Sequence, residues 1–189
     1  MEFRSIAVFC GSKTGNNKLY LEHATTLGYL LAERNIVLIY GGGNKGIMGA
    51  VANAVMEKNG QAIGIIPEVI RGWEQQHEGI SELIVVEDMH IRKRMIYEKC
   101  DAAIVLAGGF GTLDELFEML TWNQLSIHDK PIYIVNTDGF YDALLQHMNK
   151  MLEENFLYGS LQDAFRVVTD PQEIFQMTEL EITVPATLE

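Results

Sequence analysis

The stretch AIVLAGGFGTLDELFEML, residues 103–120, joins an apolar run, a glycine loop and a helix pattern in immediate succession. The apolar run ends in three glycines within four residues, Gly108, Gly109 and Gly111. A run of apolar residues that does not alternate with polar ones is typical of a strand buried on both faces. The stretch therefore predicts a strand of a parallel sheet, followed by a helix that packs across it.

The same order of strand and helix recurs along the chain. Apolar runs predict strands at 5–10, 35–40, 61–66, 82–87, 102–107 and 131–136. Helix patterns lie near 17–34, 46–59, 88–100, 112–125 and 139–153, with a loop around 67–81. Residues 165–177 predict one more strand and helix, with Asp170 as the N-cap and Pro171 as the first helical residue. We expect an α/β, Rossmann-like doubly wound parallel sheet with helices on both faces, in a single domain over 1–178, and a frayed tail at 179–189.

Composition limits the classes of function. The chain has 189 residues and a net charge of −12, which argues against nucleic-acid binding because such proteins need a basic face. No span approaches the roughly 20 apolar residues of a membrane helix, and the N-terminus lacks the pattern of a signal peptide. The two cysteines, Cys10 and Cys100, form no CxxC pair. We therefore expect a cytoplasmic protein with no membrane partner.

The first glycine loop, Tyr40–Val55, carries Gly41, Gly43 and Gly46 in a G-x-G-x-x-G spacing. This spacing invites a dinucleotide interpretation. However, the loop follows the second predicted strand, and no well-placed ribose-binding acid follows the next one. Two alternatives stay open: the glycines serve a tight turn and close helix packing, or their backbone approaches a mononucleotide.

The second glycine loop, at 108–111, suits a phosphate. Glycines at the carboxyl end of a strand leave backbone N–H groups free to point at one anion, and a helix N-terminus adds about half a positive charge. The acidic residues behind the loop allow two interpretations. Thr112 and Glu115 have the spacing of a capping box, in which Glu115 only bonds the backbone. Alternatively, the carboxylate serves a reaction that builds positive charge near a phosphorylated sugar.

A basic cluster, HIRKRM at 90–95, starts the helix after the strand at 82–87, on the sheet edge where ligands bind. Consecutive helical residues point about 100° apart, so Arg92, Lys93 and Arg94 cannot all reach one ligand. We expect one or two of them to face the cleft and the remainder to be solvated.

Taken together, these motifs make the chain resemble the LONELY GUY (LOG) family of cytokinin-activating phosphoribohydrolases. The family signature P-G-G-x-G-T-x-x-E stands here as residues 107–115, with Ala107 in place of proline. The family's M-H-x-R-K is Met89 to Lys93, its G-G-G-x-x-G-x-M-G is Gly41 to Gly49, and an early C-G-S is Cys10 to Ser12. The similarity runs in order from about Ile6 to Val168.

The resemblance implies hydrolysis of the N-glycosidic bond of a cytokinin or purine nucleoside 5′-monophosphate, without metal or organic cofactor, by a homodimer. Its catalytic pair carries over to Arg92 and Glu115. The expected substrate contacts are Ser12, Gly42, Gly43, Glu74, Met89, Lys93, Gly108, Gly109, Phe110, Gly111, Thr112, Leu113, Asp114 and Thr121. A non-catalytic nucleotide carrier or sensor of the same fold is the second hypothesis.

Other reactive residue types carry weaker signals. The five histidines show no compact metal-ligand spacing. Pyridoxal phosphate chemistry would need a Schiff-base lysine, and Lys93 between two arginines is a poor candidate. Ser12 lacks the context of a hydrolase nucleophile and is a candidate contact for phosphate or ribose. His77 has two interpretations, as part of the base pocket or as a solvated residue.

Overall fold

All strands in the described part of the chain belong to one sheet. The structure is a computed structural model, and it describes residues 3–71 and 76–183. The strands are β1 (Ser5–Phe9), β2 (Val37–Tyr40), β3 (Ala62–Pro67), β4 (Glu82–Val86), β5 (Ala102–Val105), β6 (Ile132–Val135) and β7 (Arg166–Val168). Their order across the sheet is β4-β3-β2-β1-β5-β6-β7, and every pairing is parallel. This confirms the α/β class and the doubly wound parallel sheet.

The helices fill the intervals between the strands. They are α1 (Lys18–Glu33), α2 (Gly46–Glu57), α3 (Glu68–Arg71), α4 (Met89–Lys99), α5 (Phe110–Gln124), α6 (Asp142–Glu153), α7 (Leu161–Ala164) and α8 (Pro171–Thr183). A 3₁₀ turn at Thr137–Gly139 precedes α6. Within the described ranges, none of these helices combines the length and apolar character needed to cross a bilayer.

The sheet separates two apolar layers. Side chains of α1, α2 and α8 pack on one face of the sheet, and side chains of α4, α5, α6 and α7 pack on the other. Helices α1 and α2 approach closely at Gly28, where an added Cβ would lie 2.6 Å from the carbonyl oxygen of Val51. Helices therefore cover both faces, as the continuous apolar strands predict.

The winding of the sheet reverses between β1 and β5. Ile6 pairs with Leu38 of β2 on one side and with Ala102 of β5 on the other. The connections leaving these two neighbouring strands run in opposite directions, so a crevice opens above their carboxyl ends. Ligands of open α/β sheets bind at such a switch point.

Helix α5 begins two residues before the predicted start at Thr112. Its N-cap is Gly109, and no side chain bonds the capped end. Thr112 and Glu115 therefore lie inside the helix, so the capping-box interpretation of this pair is wrong.

Three other helices, α3, α7 and α8, can be compared with the predicted boundaries. The single-turn helices α3 and α7 were not predicted, because four residues carry no helical period. Helix α8 extends to Thr183, inside the predicted tail. Its start is confirmed, since Pro171 is the first helical residue and Asp170 Oδ1 accepts the N–H of Gln172 at 2.8 Å.

Candidate active site

A cavity of about 550 Å³ opens at the carboxyl edge of the sheet, above the switch point. Its walls come from the loop after β1, the loop after β2, the first turns of α4 and α5, and the turn after β6. Elements far apart in sequence therefore meet at one concave surface, which is the usual setting of a small-molecule site.

The N-terminus of α5 forms one wall with its backbone donors unused. The first helical bond is Leu113 N to Gly109 O, at 3.1 Å. The N–H groups of Phe110, Gly111 and Thr112 have no acceptor among the described residues, because no side chain caps this end. Free donors and the helix dipole together make this end an anion site.

The three glycines of this wall differ in what they do. A Cβ at Gly108 would lie 2.1 Å from the hydroxyl oxygen of Thr112, so packing within the chain requires glycine there. A Cβ at Gly109 or Gly111 would meet nothing within 4 Å. Packing within the described chain does not require those two glycines, and their bare backbone leaves room for a ligand at the helix end.

Arg92 contributes a buried positive charge to the cavity. Asp88 caps α4 by accepting the N–H groups of His90 and Ile91, each at 2.8 Å, and this sets the start of the helix that carries Arg92. Only 6% of Arg92 is exposed. Its guanidinium donates to the carbonyl of Gly41 at 3.5 Å and to the sulfur of Met89 at 3.6 Å.

Those two acceptors carry no net charge, and the buried Nε of Arg92 has no hydrogen-bond partner among the described residues. A buried guanidinium is stable only when its donors and its charge are matched. An anionic ligand would supply both. Gly41 permits this position of the side chain, since a Cβ there would lie 2.0 Å from Nη2.

Glu115 lies on the second turn of α5 and also lines the cavity. It is buried, with 9% of the residue exposed. Its backbone carbonyl accepts the hydroxyl of Tyr97 from α4 at 3.2 Å. The cavity thus brings together a buried carboxylate, a buried guanidinium and an anion-binding helix end.

The structure divides the residues predicted as site residues into three groups. Ten line the cavity: Ser12, Met89, Arg92, Gly108, Gly109, Phe110, Gly111, Thr112, Asp114 and Glu115. Five do not line it: Gly42, Gly43, Lys93, Leu113 and Thr121. Glu74 lies outside the described residues.

The five residues away from the cavity occupy three places. Gly42, with φ at +79°, packs beneath Leu83, and Gly43 forms a bridge with Gln76. Leu113 and Thr121 line a shallow depression on the outer face of α5.

Lys93 points at α5 rather than into the cavity. Its ammonium lies 3.2 Å from Asp114 Oδ2 and also contacts Glu118 Oε2. Burial lowers the pKa of Lys93, but the bonds to Glu118 and Asp114 outweigh it and raise the pKa above its ordinary value. A lysine held protonated by two carboxylates does not fit Schiff-base chemistry, which needs the free amine.

The first glycine loop is explained by packing. Gly46, with φ at +61°, opens α2 directly against the loop after β1, and a Cβ there would lie 2.3 Å from the carbonyl carbon of Ser12. Gly41 is required by Arg92. These contacts favour the interpretation that the loop makes a tight turn with close packing, and Gly41 lines the cavity as well.

His77 is neither solvated nor at the cavity. Its Nε2 lies 3.0 Å from Asn53 Oδ1, and its Nδ1 accepts the N–H of Gly79 at 3.1 Å. Burial lowers the pKa of His77. Within the described ranges, no three His, Cys, Asp or Glu side chains form a group that could hold a metal ion.

Sequence reasoning missed the end of the cavity formed by Lys13, Gly15, Tyr20 and Phe140. The rings of Tyr20 and Phe140 meet edge to face, with centroids 5.4 Å apart. Aromatic residues in a first helical turn and a surface loop give no local signal. Only the position of Phe140 after β6, near the switch point, could have indicated them.

The sequence of this chain is similar to one family of known proteins. The profile of a family described as "possible lysine decarboxylase" matches residues 48–178. The cytokinin riboside 5′-monophosphate phosphoribohydrolase LOG2 of Arabidopsis thaliana is 42% identical over 177 residues, covering 94% of this chain and 83% of LOG2. The probable phosphoribohydrolases LOG6 of Arabidopsis thaliana and LOGL2 of Oryza sativa subsp. japonica are 43% and 42% identical, over 97% and 94% of this chain and 90% and 72% of their own lengths.

Solved structures share the fold at lower identity. The molybdenum cofactor binding protein of Rippkaea orientalis superposes with a TM-score of 0.71 and 24% identity, covering 97% of this chain and 99% of its own. The Moco carrier protein of Chlamydomonas reinhardtii gives 0.68 and 19%, covering 95% and 98%. These likenesses show a common fold and say nothing about the ligand of this chain.

Proposed function

We propose that this chain, which belongs to the LOG family of phosphoribohydrolases, hydrolyses the N-glycosidic bond of nucleoside 5′-monophosphates. The products are the free base and ribose 5-phosphate. One observation carries the proposal: buried Arg92 and Glu115 line the same cavity as the uncapped N-terminus of α5. That combination matches the two ends of the substrate, an anionic phosphate and a sugar that becomes cationic.

We assign the 5′-phosphate to the N-terminus of α5. The unused N–H groups of Phe110, Gly111 and Thr112 suit the phosphate oxygens, and the bare Cα of Gly111 lets them approach. This local site is needed because the net charge of −12 repels an anion at longer range.

We assign the chemistry to Glu115 and Arg92. As the bond between C1′ and the base nitrogen breaks, the electron pair leaves with the base and positive charge develops on the sugar. A buried carboxylate beside C1′ stabilises charge that exists only in the transition state. A water oxygen then bonds to C1′, and its proton is lost as the base gains one. Arg92 balances the negative charge of the phosphate and of Glu115.

The test is release of adenine from AMP, followed by chromatography of the products. Wild-type protein should release adenine and ribose 5-phosphate in equal amounts. Glu115→Gln and Glu115→Ala should lower turnover by roughly 10²-fold or more while the protein stays folded, because the charge is lost. AMP binding without adenine release would favour the carrier hypothesis, and near-normal turnover of Glu115→Gln would remove the catalytic assignment. A panel that includes N6-prenylated AMP then identifies the preferred base.

The assembly we propose is a homodimer formed through the outer face of α5. The depression on this face is lined by Phe110, Leu113, Asp114, Phe117, Glu118, Thr121 and Trp122. Leu113 and Thr121, both expected from the family to contact substrate, lie here rather than in the main cavity. A second copy on this face is the arrangement in which they would contact a ligand, namely that of the partner.

We also propose a cytoplasmic location. Cys10 and Cys100 are both buried, and neither forms a disulfide. Burial raises the pKa of Cys100 to about 11, which keeps this residue a thiol at neutral pH. Buried thiols outside disulfides suit a reducing compartment. Fractionation of the source cells with an antibody to the chain would test this location.

A further inference from the structure

An ion-pair cluster joins α4 to α5 directly beside the two residues assigned to catalysis. Lys93 follows Arg92 on α4, and Asp114 precedes Glu115 on α5. The Lys93 ammonium lies 3.2 Å from Asp114 Oδ2 and contacts Glu118 Oε2, one turn further along α5. Each helix thus carries its reactive residue next to a member of the cluster.

The cluster is shielded at its centre. The side chain of Lys93 is 12% exposed and that of Glu118 is 23% exposed, whereas Asp114 is open to solvent at 56%. Exposed ion pairs between mobile side chains contribute little. Here a mostly buried ammonium lies between two carboxylates, and breaking such a contact leaves a buried charge without its partner.

A second contact ties the same two helices at Glu115 itself. The hydroxyl of Tyr97, four residues after Lys93 on α4, donates to the carbonyl of Glu115 at 3.2 Å. Tyr97 is 1% exposed and is held in turn by the ammonium of Lys130, which donates to its carbonyl. The backbone of Glu115 and the side chains of Asp114 and Glu118 are therefore all held against α4.

We propose that Lys93, with Asp114 and Glu118, is a positioning group that holds Arg92 and Glu115 at their working separation. This role differs from the substrate contact that the family resemblance implies for Lys93. Lys93 does not line the cavity, and two carboxylates already neutralise its charge. The proposal rests on the proposed function, because it takes Arg92 and Glu115 as the catalytic pair.

The proposal predicts a separation of kcat from KM. Catalytic groups must be held to within about 0.5 Å, and a displacement of about 1 Å can cost roughly 10²-fold in rate. In AMP hydrolysis, Lys93→Met should therefore lower kcat by about tenfold or more while KM changes by less than about threefold. Lys93→Arg, which keeps the charge, should recover part of the lost kcat.

The chain offers a matched control on the same helix. Arg94 is the next residue of α4 and pairs with Glu98 at 4.0 Å, but both side chains are more than 60% exposed. Arg94→Met removes one cation from α4, as Lys93→Met does, without touching α5. It should leave both kcat and KM unchanged.

The kinetic constants of the Lys93→Met variant distinguish a positioning role from the alternatives. A raised KM with intact kcat in Lys93→Met would make Lys93 a substrate contact, and no change in either constant would make the cluster irrelevant; both overturn the proposal. If Lys93→Met does not fold, Glu118→Gln carries the test, since it leaves the Asp114 pair in place and should lower kcat alone. Absence of adenine release from AMP by the wild-type protein would instead refute the proposed function, whatever Lys93 does.

Discussion

At the scale of the residue, glycines in one loop have different physical reasons for being there. Gly108 is required by the hydroxyl of Thr112, whereas Gly111 faces open space at the helix end. Gly111 also lies within α5, where glycine is about 1 kcal/mol less favourable than alanine. The chain thus carries a residue that weakens its own helix, and the reason we assign is access for the phosphate.

This assignment predicts opposite effects on stability and affinity. Gly111→Ala should leave the free energy of unfolding unchanged or raise it by up to about 1 kcal/mol, because alanine favours the helix. The same change should raise KM for AMP by about tenfold or more, since the new methyl group occupies the phosphate approach. Denaturant unfolding and initial rates measure the two quantities.

Gly28→Ala is the matched control, because its Cβ would lie 2.6 Å from the Val51 carbonyl, far from the cavity. It should lower stability and leave KM unchanged. An unchanged KM in Gly111→Ala would contradict the assignment of the phosphate to this helix end.

At the scale of the element, the strands were the most predictable part of the fold. The five inner strands, β1, β2, β3, β5 and β6, are mostly buried on both faces, so the apolar run of each is continuous and marks its position. The start of α5 was misplaced because Thr112 and Glu115 imitate a capping box, while the real N-cap, Gly109, has no side chain to signal it. The residues of this loop and of α4 were found as site candidates because they are contiguous in sequence. Tyr20 and Phe140 reach the cavity only through the order of the strands.

The segment before β4 gives a prediction about pH. His77 docks this segment through its bonds to Asn53 and Gly79, and burial lowers its pKa below the ordinary value near 6.5. The unfolded chain therefore takes up a proton at higher pH than the folded chain does. Stability is full above pH 6.5 and falls as the pH decreases below it.

We expect the free energy of unfolding of the wild type to fall between pH 7.5 and 5.5 by more than that of His77→Gln. Chemical denaturation at both pH values measures the difference between the two proteins. Because both retain the other histidines, His128 among them, their contribution cancels in the comparison. Equal losses would show that His77 does not control the acid sensitivity.

At the scale of the whole molecule, the proposed homodimer depends on the outer face of α5. Leu125, 63% exposed, continues the stripe of this face beyond Thr121. If a second copy packs here, Leu125→Glu should convert a dimer to a monomer, because it places a charge within an apolar contact. Light scattering after size exclusion gives the mass of each form.

Phe156→Glu serves as the control for the dimer. Phe156 is 76% exposed, lies after α6 and does not line the depression on α5, so its replacement should leave the dimer intact. A wild-type protein that has the mass of one chain at micromolar concentration would refute the homodimer.

The strand order also sets when activity can first arise as the chain folds. Ile6 of β1 pairs with Ala102 of β5, and Asp101 Oδ2 accepts the N–H groups of Arg4 and Ser5 at 2.8 and 3.0 Å. Such long loop closures make parallel sheets slow to form. The crevice lies on this seam, so a nascent chain that has not yet emerged past α5 has no place to hold a nucleotide. The time at which catalytic activity appears during refolding therefore reports when β1 pairs with β5.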